Sequence, residues 1–127
     1  MNLLLDTNRY RDFVRGVAPA VQSIQAASHV FIPFIVLAEL RAGFAGGNRG
    51  RENEAMLSRI LQQASVAPLF PDNDTTHHYA MIYQHLRRQG TPIPTHDIWI
   101  AALAIQHDLV LFSRDGHFQQ IPQLARL

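Results

Sequence analysis

The chain contains neither cysteine nor lysine, and each absence closes off chemistry. Without cysteine there is no disulfide framework and no thiolate zinc site. Without lysine there is no Walker A loop and no protein-kinase signature, since each depends on that side chain. Long apolar runs are also missing, and none reaches the ~20 residues of a membrane span. The opening MNLLLDTN has no basic stretch and is too short for a signal peptide. These absences predict a cytoplasmic protein with no membrane partner. Net charge is nearly absent too: the formal value is +1, so bulk charge does not mark a nucleic-acid binder. All 11 basic residues are arginine. Arginine forks suit phosphate groups, although a general compositional bias toward arginine accounts for the pattern at least as well.

What is present is a chain of 127 residues, 47% hydrophobic and 17% charged, able to bury a real core. That length fits one domain, residues 1–127. Short apolar runs alternate with helical patterns. Leu3–Asp6, Val30–Ile32, Val66–Phe70 and Leu109–Ser113 read as strands. Arg9–Arg15, Pro19–Ala27, Ile35–Gly43, Glu52–Ser65, a segment capped by Asp72 or Asp74 and ending at Gln89, and His96–His107 read as helices. Ile121–Leu127 offers a last short strand. There is no internal repeat. The alternation predicts an α/β fold with a mainly parallel central sheet, right-handed crossovers and helices on both faces.

The stretch PIPTHDIWIAALAIQHDLVLFSRDGHF organises the rest. Asp97 stands in the first turn of a helix that is apolar nearly all round, through Trp99, Ile100, Leu103 and Ile105 with Ala101, Ala102 and Ala104. Such a helix is buried, and its alanines allow close approach to a sheet. Asp115 follows the strand after it. Asp6 ends the first strand, and Glu39 lies a little over one turn into the helix that leaves the second. Ligands of a parallel sheet bind outside the carboxyl ends of its strands, where crossover helices begin. All four acids are therefore expected on or near one edge. Crowded carboxylates repel one another and resist ionisation. A hard divalent cation, Mg²⁺ or Mn²⁺, removes that cost and brings hydrolytic chemistry on phosphodiesters.

Each acid also has a structural explanation. Asp97 favours the positive end of its helix dipole. Asp6 bonds the next backbone amides, and Asp115 before Gly116 forms an ordinary turn. Glu39, in the apolar setting VLAELRAG, pairs with Arg41 or another arginine.

The segments LLLDTN, VLAELRAG, HDIWIAALA and LFSRDGHF, in that order from Leu3 to Phe118, resemble the PIN domain family, and within it the VapC-type toxins of bacterial toxin–antitoxin pairs. The resemblance implies an α/β/α sandwich and a metal-dependent endoribonuclease holding Mg²⁺ or Mn²⁺ among Asp6, Glu39, Asp97 and Asp115. Asp6 and Asp97 would ligate the ion, while Glu39 and Asp115 would orient waters or hold a second ion. Asn8 and Ser113 match supporting polar positions. A homodimer, an RNA substrate and a cognate antitoxin partner are implied as well. The chain departs from relatives in having His96 where many carry asparagine. Gly116 or His117 stands where some carry a further acid, which favours a single ion.

Other residues admit two readings. His77, His78 and His85 look like a cluster, but His78 and His85 stand seven residues apart on one helix, too far for one metal. His117 is close enough to Asp115 to contact a phosphate, or simply caps or packs. Arg9, Arg11 and Arg15 follow Asp6 and offer phosphate contacts, as do Arg49 and Arg51, whereas Arg87 and Arg88 suit a helix C-terminus. Tyr10 and Phe13 are candidates for base stacking or for packing against a partner. Two further nuclease-free or toxin-free readings stay open: an RNA-processing nuclease outside a toxin–antitoxin pair, and a catalytically silent PIN-like binding module. A receiver domain needs the missing lysine. A haloacid-dehalogenase phosphatase needs an aspartate where Asn8 stands.

Overall fold

Leu3, Leu4 and Leu5 are all buried. Successive side chains of a strand point to opposite faces, so β1 (Asn2–Leu5) is covered on both sides. The computed structural model describes residues 1–127. After β1 come α1 (Thr7–Val14), α2 (Ala18–Ala26), β2 (His29–Pro33), α3 (Phe34–Gly46), α4 (Gly50–Leu61) and β3 (Val66–Leu69). The chain continues through α5 (Asn73–Gln89), α6 (Thr95–Gln106) and β4 (Val110–Phe112) to a 3₁₀ turn, Gly116–Gln120. The four strands form one parallel sheet in the order β3-β2-β1-β4. This is the α/β sandwich with a central parallel sheet that the alternation of strands and helices predicts.

The strand order explains where the helices lie. Connections step one way from β1 through β2 to β3, then return past β1 to β4. Right-handed crossovers therefore put α1–α4 on one face and α5–α6 on the other. In agreement, Tyr10 of α1, Ile24 of α2 and Ile60 of α4 line one cleft with Leu5, Val30, Ile32 and Val66. On the opposite side, α6 buries Ile98, Ile100, Ala101, Ala102, Leu103 and Ala104, a nearly continuous run. It turns sharply into β4: Asp108 takes a positive φ of 54°, and the Leu109 amide donates to the Ala104 carbonyl at 2.8 Å. Asx residues tolerate that conformation better than most.

Element boundaries differ from the sequence reading where side-chain capping intervenes. α1 begins at Thr7 rather than Arg9, because the Asp6 carboxylate accepts the Thr7 amide and caps the helix. Asp72, not Asp74, caps α5 in a reciprocal capping box with Thr75. The same Asp72 carboxylate accepts from Gln106 at 2.8 Å, fastening the start of α5 to the end of α6. α3 continues through Gly43 to Gly46, and α4 stops at Leu61, short of Ser65. The tail does not form a strand. It makes one isolated bridge, Leu111 with Arg126, held by bonds from the Leu111 amide to Ala125 and from the Leu127 amide to Leu111. No helix is long and apolar enough to cross a membrane.

α5 ends on Gly90, whose φ of 75° is left-handed. A Cβ at that position would meet nothing within 4 Å, so a substitution there tests the backbone alone. Gly90→Ala should lower stability by about 1 kcal/mol, seen as a lower urea midpoint with an unchanged slope.

Candidate active site

β1 and β4 pair in register, Leu5 beside Phe112, and the Asp6 amide extends the ladder to the Phe112 carbonyl at 3.1 Å. The next residues along, Asp6 and Ser113, are thereby neighbours. The Ser113 hydroxyl donates to the Asp6 carboxylate at 2.6 Å. The same hydroxyl oxygen accepts from the Asp115 amide at 3.0 Å and from Asn8 Nδ2 at 3.4 Å. Asn8 in turn accepts the Arg114 amide through Oδ1 at 3.2 Å. One short network thus fixes the end of β1, the first turn of α1 and the loop after β4.

Asp97 reaches this edge from the other face of the sheet, in the first turn of α6. It is only 3% exposed. Burial raises its pKa above the ordinary carboxylate value. The charges of Asp115 and Asp6 add to that, while hydrogen bonding from His117 and the nearby His96 oppose it. His117 Nδ1 lies 2.8 Å from Asp97 Oδ2 and 3.1 Å from Asp115 Oδ1, so one ring nitrogen bridges the two acids. The pKa of this imidazole is raised, chiefly by its hydrogen bond to Asp97 and further by the charges of both carboxylates, against some loss of hydration. Asp115 also caps the 3₁₀ turn, accepting the His117 amide at 2.9 Å. Asp97, Asp115 and His117 together offer three ligand atoms all within 4.8 Å of one another.

Glu39 is the outlying member. It is half-buried and touches the group through Thr7, whose hydroxyl donates to Glu39 Oε2 at 3.1 Å. The pairing with Arg41 does not form, because Arg41 is engaged by Glu54 on α4.

The structure adds residues that the sequence reading did not single out. Asp12 is buried and accepts both guanidinium arms of Arg114, at 2.8 and 3.0 Å. Arg9 joins at 3.3 Å and lays its guanidinium over the Phe112 ring, 4.5 Å from the centroid. Arg114 above all holds the Asp12 carboxyl below its usual range. The available signal was helical spacing: Asp12 stands four residues after Asn8, on the same face of α1. Arg9 is therefore committed to an ion pair. Tyr10 is buried, its phenol pushed up to about 12 by burial and by the charge of Glu54, and it is not available for base stacking. His77, His78 and His85 gather into no metal-binding group.

The match to known proteins agrees with this topology. The PIN domain model matches residues 3–124, and the chain belongs to that family. Among curated relatives, "Ribonuclease VapC1" of Haemophilus influenzae strain R2866 is 27% identical over 129 aligned residues, covering 98% of this chain and 95% of the relative. "Toxin FitB" of Neisseria gonorrhoeae is 34% identical over 124 residues, covering 89% and 87%. Of solved structures, VapBC-1 from nontypeable Haemophilus influenzae superposes with a TM-score of 0.85 at 26% identity, covering all of this chain and 97% of that one.

The His117 bridge carries a signed pH dependence. A histidine whose pKa is raised in the fold lends stability fully below its ordinary value of 6.5 and loses it as pH rises through the folded value. Asp97 acts in the same sense: its raised pKa means that the ionised, buried carboxylate opposes folding once pH exceeds its ordinary value of 3.8. In chelator, the thermal midpoint should fall as pH rises from about 6 to about 9. His117→Ala should flatten that slope.

Proposed function

We propose that the protein is a metal-dependent endoribonuclease, the toxin of a VapBC-type pair, hydrolysing RNA phosphodiester bonds under the restraint of a cognate antitoxin. The observation that carries this reading is Asp97: a nearly inaccessible carboxylate, held at the sheet edge beside Asp115 and Asp6, whose charged form is disfavoured by burial and by the charges of those two acids. A buried acid of this kind is costly to the fold unless a cation shares the site. The donors present are carboxylates and imidazole, with no thiolate in the chain, which fits a hard or borderline divalent ion such as Mg²⁺ or Mn²⁺.

Asp6, Asp97 and Asp115 would hold the ion. Glu39, set back behind Thr7, would orient a water rather than ligate directly. When bound, the ion supplies a nucleophile from water and stabilises charge developing on the phosphate. The chain's own part is positional. Ser113 and the Thr7 amide orient the Asp6 carboxylate. Asn8 steadies the loop that carries Asp115. The relatives, ribonucleases and a toxin by name, support RNA as substrate, and the VapBC complex supports a protein antitoxin as partner. The same reading includes a homodimer.

The test is cleavage of total cellular RNA by purified protein, with Mg²⁺ or Mn²⁺ and with chelator. Discrete fragments should appear only with metal. Asp97→Asn and Asp6→Asn, folded by circular dichroism, should each slow cleavage by about 100-fold or more, the scale of losing one electrostatic group from a catalytic site. Metal-bound, folded protein that cleaves no RNA would favour a silent binding module instead.

A further inference from the structure

We propose that His117 is itself a ligand of the ion, adding an imidazole nitrogen to the carboxylates already named, so that the site prefers Mn²⁺ to Mg²⁺. This rests on the metal site proposed above and deepens it. Neighbouring ligands of an octahedral ion at about 2.1 Å lie roughly 3.0 Å apart. The two edges that end on His117 Nδ1 measure 2.8 and 3.1 Å, to Asp97 and Asp115 respectively. The remaining separation, between the two carboxylate oxygens, is at most 4.8 Å. The ring nitrogen thus faces both acids at the spacing of neighbouring ligands.

The backbone holds it there. The His117 amide is bonded to Asp115 Oδ1 in the 3₁₀ turn, and the next residue, Phe118, is fully buried, so the turn cannot swing the ring far without unseating core. The imidazole remains half exposed on its outer side, leaving room for waters or a phosphate to complete the coordination. His96 is a different case. Its Nε2 stands 3.5 Å from the other Asp97 oxygen, and it is not a member of the three-atom group.

The metal preference follows from donor type. Mg²⁺ favours an all-oxygen shell rich in water, whereas first-row transition ions take a nitrogen donor at less cost, and Mn²⁺, the hardest of that series, also suits carboxylates. Replacing an oxygen donor by nitrogen should thus cost Mg²⁺ more than Mn²⁺.

The experiment loads the full-length protein with Mn²⁺ and reads directly coordinated ¹⁴N by pulsed electron paramagnetic resonance, beside calorimetric titrations with Mn²⁺ and Mg²⁺. His117→Ala, His96→Ala and Asp97→Asn are compared with the unaltered chain. The expected result is a nitrogen signal present in the unaltered protein and in His96→Ala, and absent in His117→Ala. Mn²⁺ affinity should fall about tenfold or more in His117→Ala, with Mg²⁺ affinity much less affected. Mn²⁺ bound at Asp97 without coordinated nitrogen would overturn the inference while leaving the metal site standing. So would tighter Mn²⁺ binding in His117→Ala, because the ring would then be a hydrogen-bonded competitor. If neither ion binds in a manner that Asp97→Asn abolishes, the metal site itself falls, and the ligand role with it.

Discussion

Everything at the carboxyl edge depends on the parallel pairing of β1 with β4. Leu3, Leu4 and Leu5 stand beside Val110, Leu111 and Phe112, and the Asp6 amide closes the ladder on Phe112. These strands are 105 or more residues apart in the chain, so the pairing is a tertiary event and not a local one. A slip of one residue would separate Asp6 from Ser113 and draw polar Asn2 or Asp6 toward the apolar core that covers both faces of β1. Burial on both faces penalises that slip. The hydrophobic core thus sets the register, and the register sets the distance between a carboxylate and the hydroxyl that orients it.

Onto this edge the fold delivers an electrostatic conflict. α6 is apolar nearly all round, so its first turn is carried deep, and Asp97 goes with it. The dipole of α6 favours a negative charge there, but burial and the charges of Asp115 and Asp6 work against it. The His117 ring nitrogen lies between Asp97 and Asp115, 2.8 and 3.1 Å from their oxygens. Charge that is disfavoured in the bare protein is what an incoming cation would find already assembled. The polarity of the site and the cost to stability have one origin.

The fold was largely legible because periodicity is a local signal. Three consecutive leucines, the alanine-rich helix after Asp97 and the alternation between them define strands, helices and their class. What periodicity could not supply were contacts made by side chains across elements. The Asp6 cap lengthened α1 backward to Thr7, and a turn took residues 116–120, because polar side chains outbid the local pattern. For the site, placing Asp6, Asp97 and Asp115 on one edge needed only topology. Glu39 was harder. Its position on α3 was readable, but its partner turned out to be the Thr7 hydroxyl and not Arg41. His117 and Asp12 were underweighted for a similar reason. A histidine two residues past an acid, or an aspartate between arginines, has no distinctive spacing until the loop after β4 is folded against α1.

That loop also bears on how a phosphate would be met. Arg9 and Arg114 are the arginines bound into this edge, and both are committed to Asp12. Arg114 keeps two bonds to that carboxylate, and Arg9 is further held over Phe112. Withdrawing either guanidinium for a ligand would leave Asp12, a buried acid, short of its partner, which is expensive. These two cations therefore serve the loop that carries Asp115 before they serve a substrate. On the function proposed above, arginines outside the clamp would add affinity along an RNA backbone. On that same function, an ion held by the acids would supply positive charge at the point of cleavage. For the same reason the carboxylates, rather than the abundant arginines, define the chemistry proposed here.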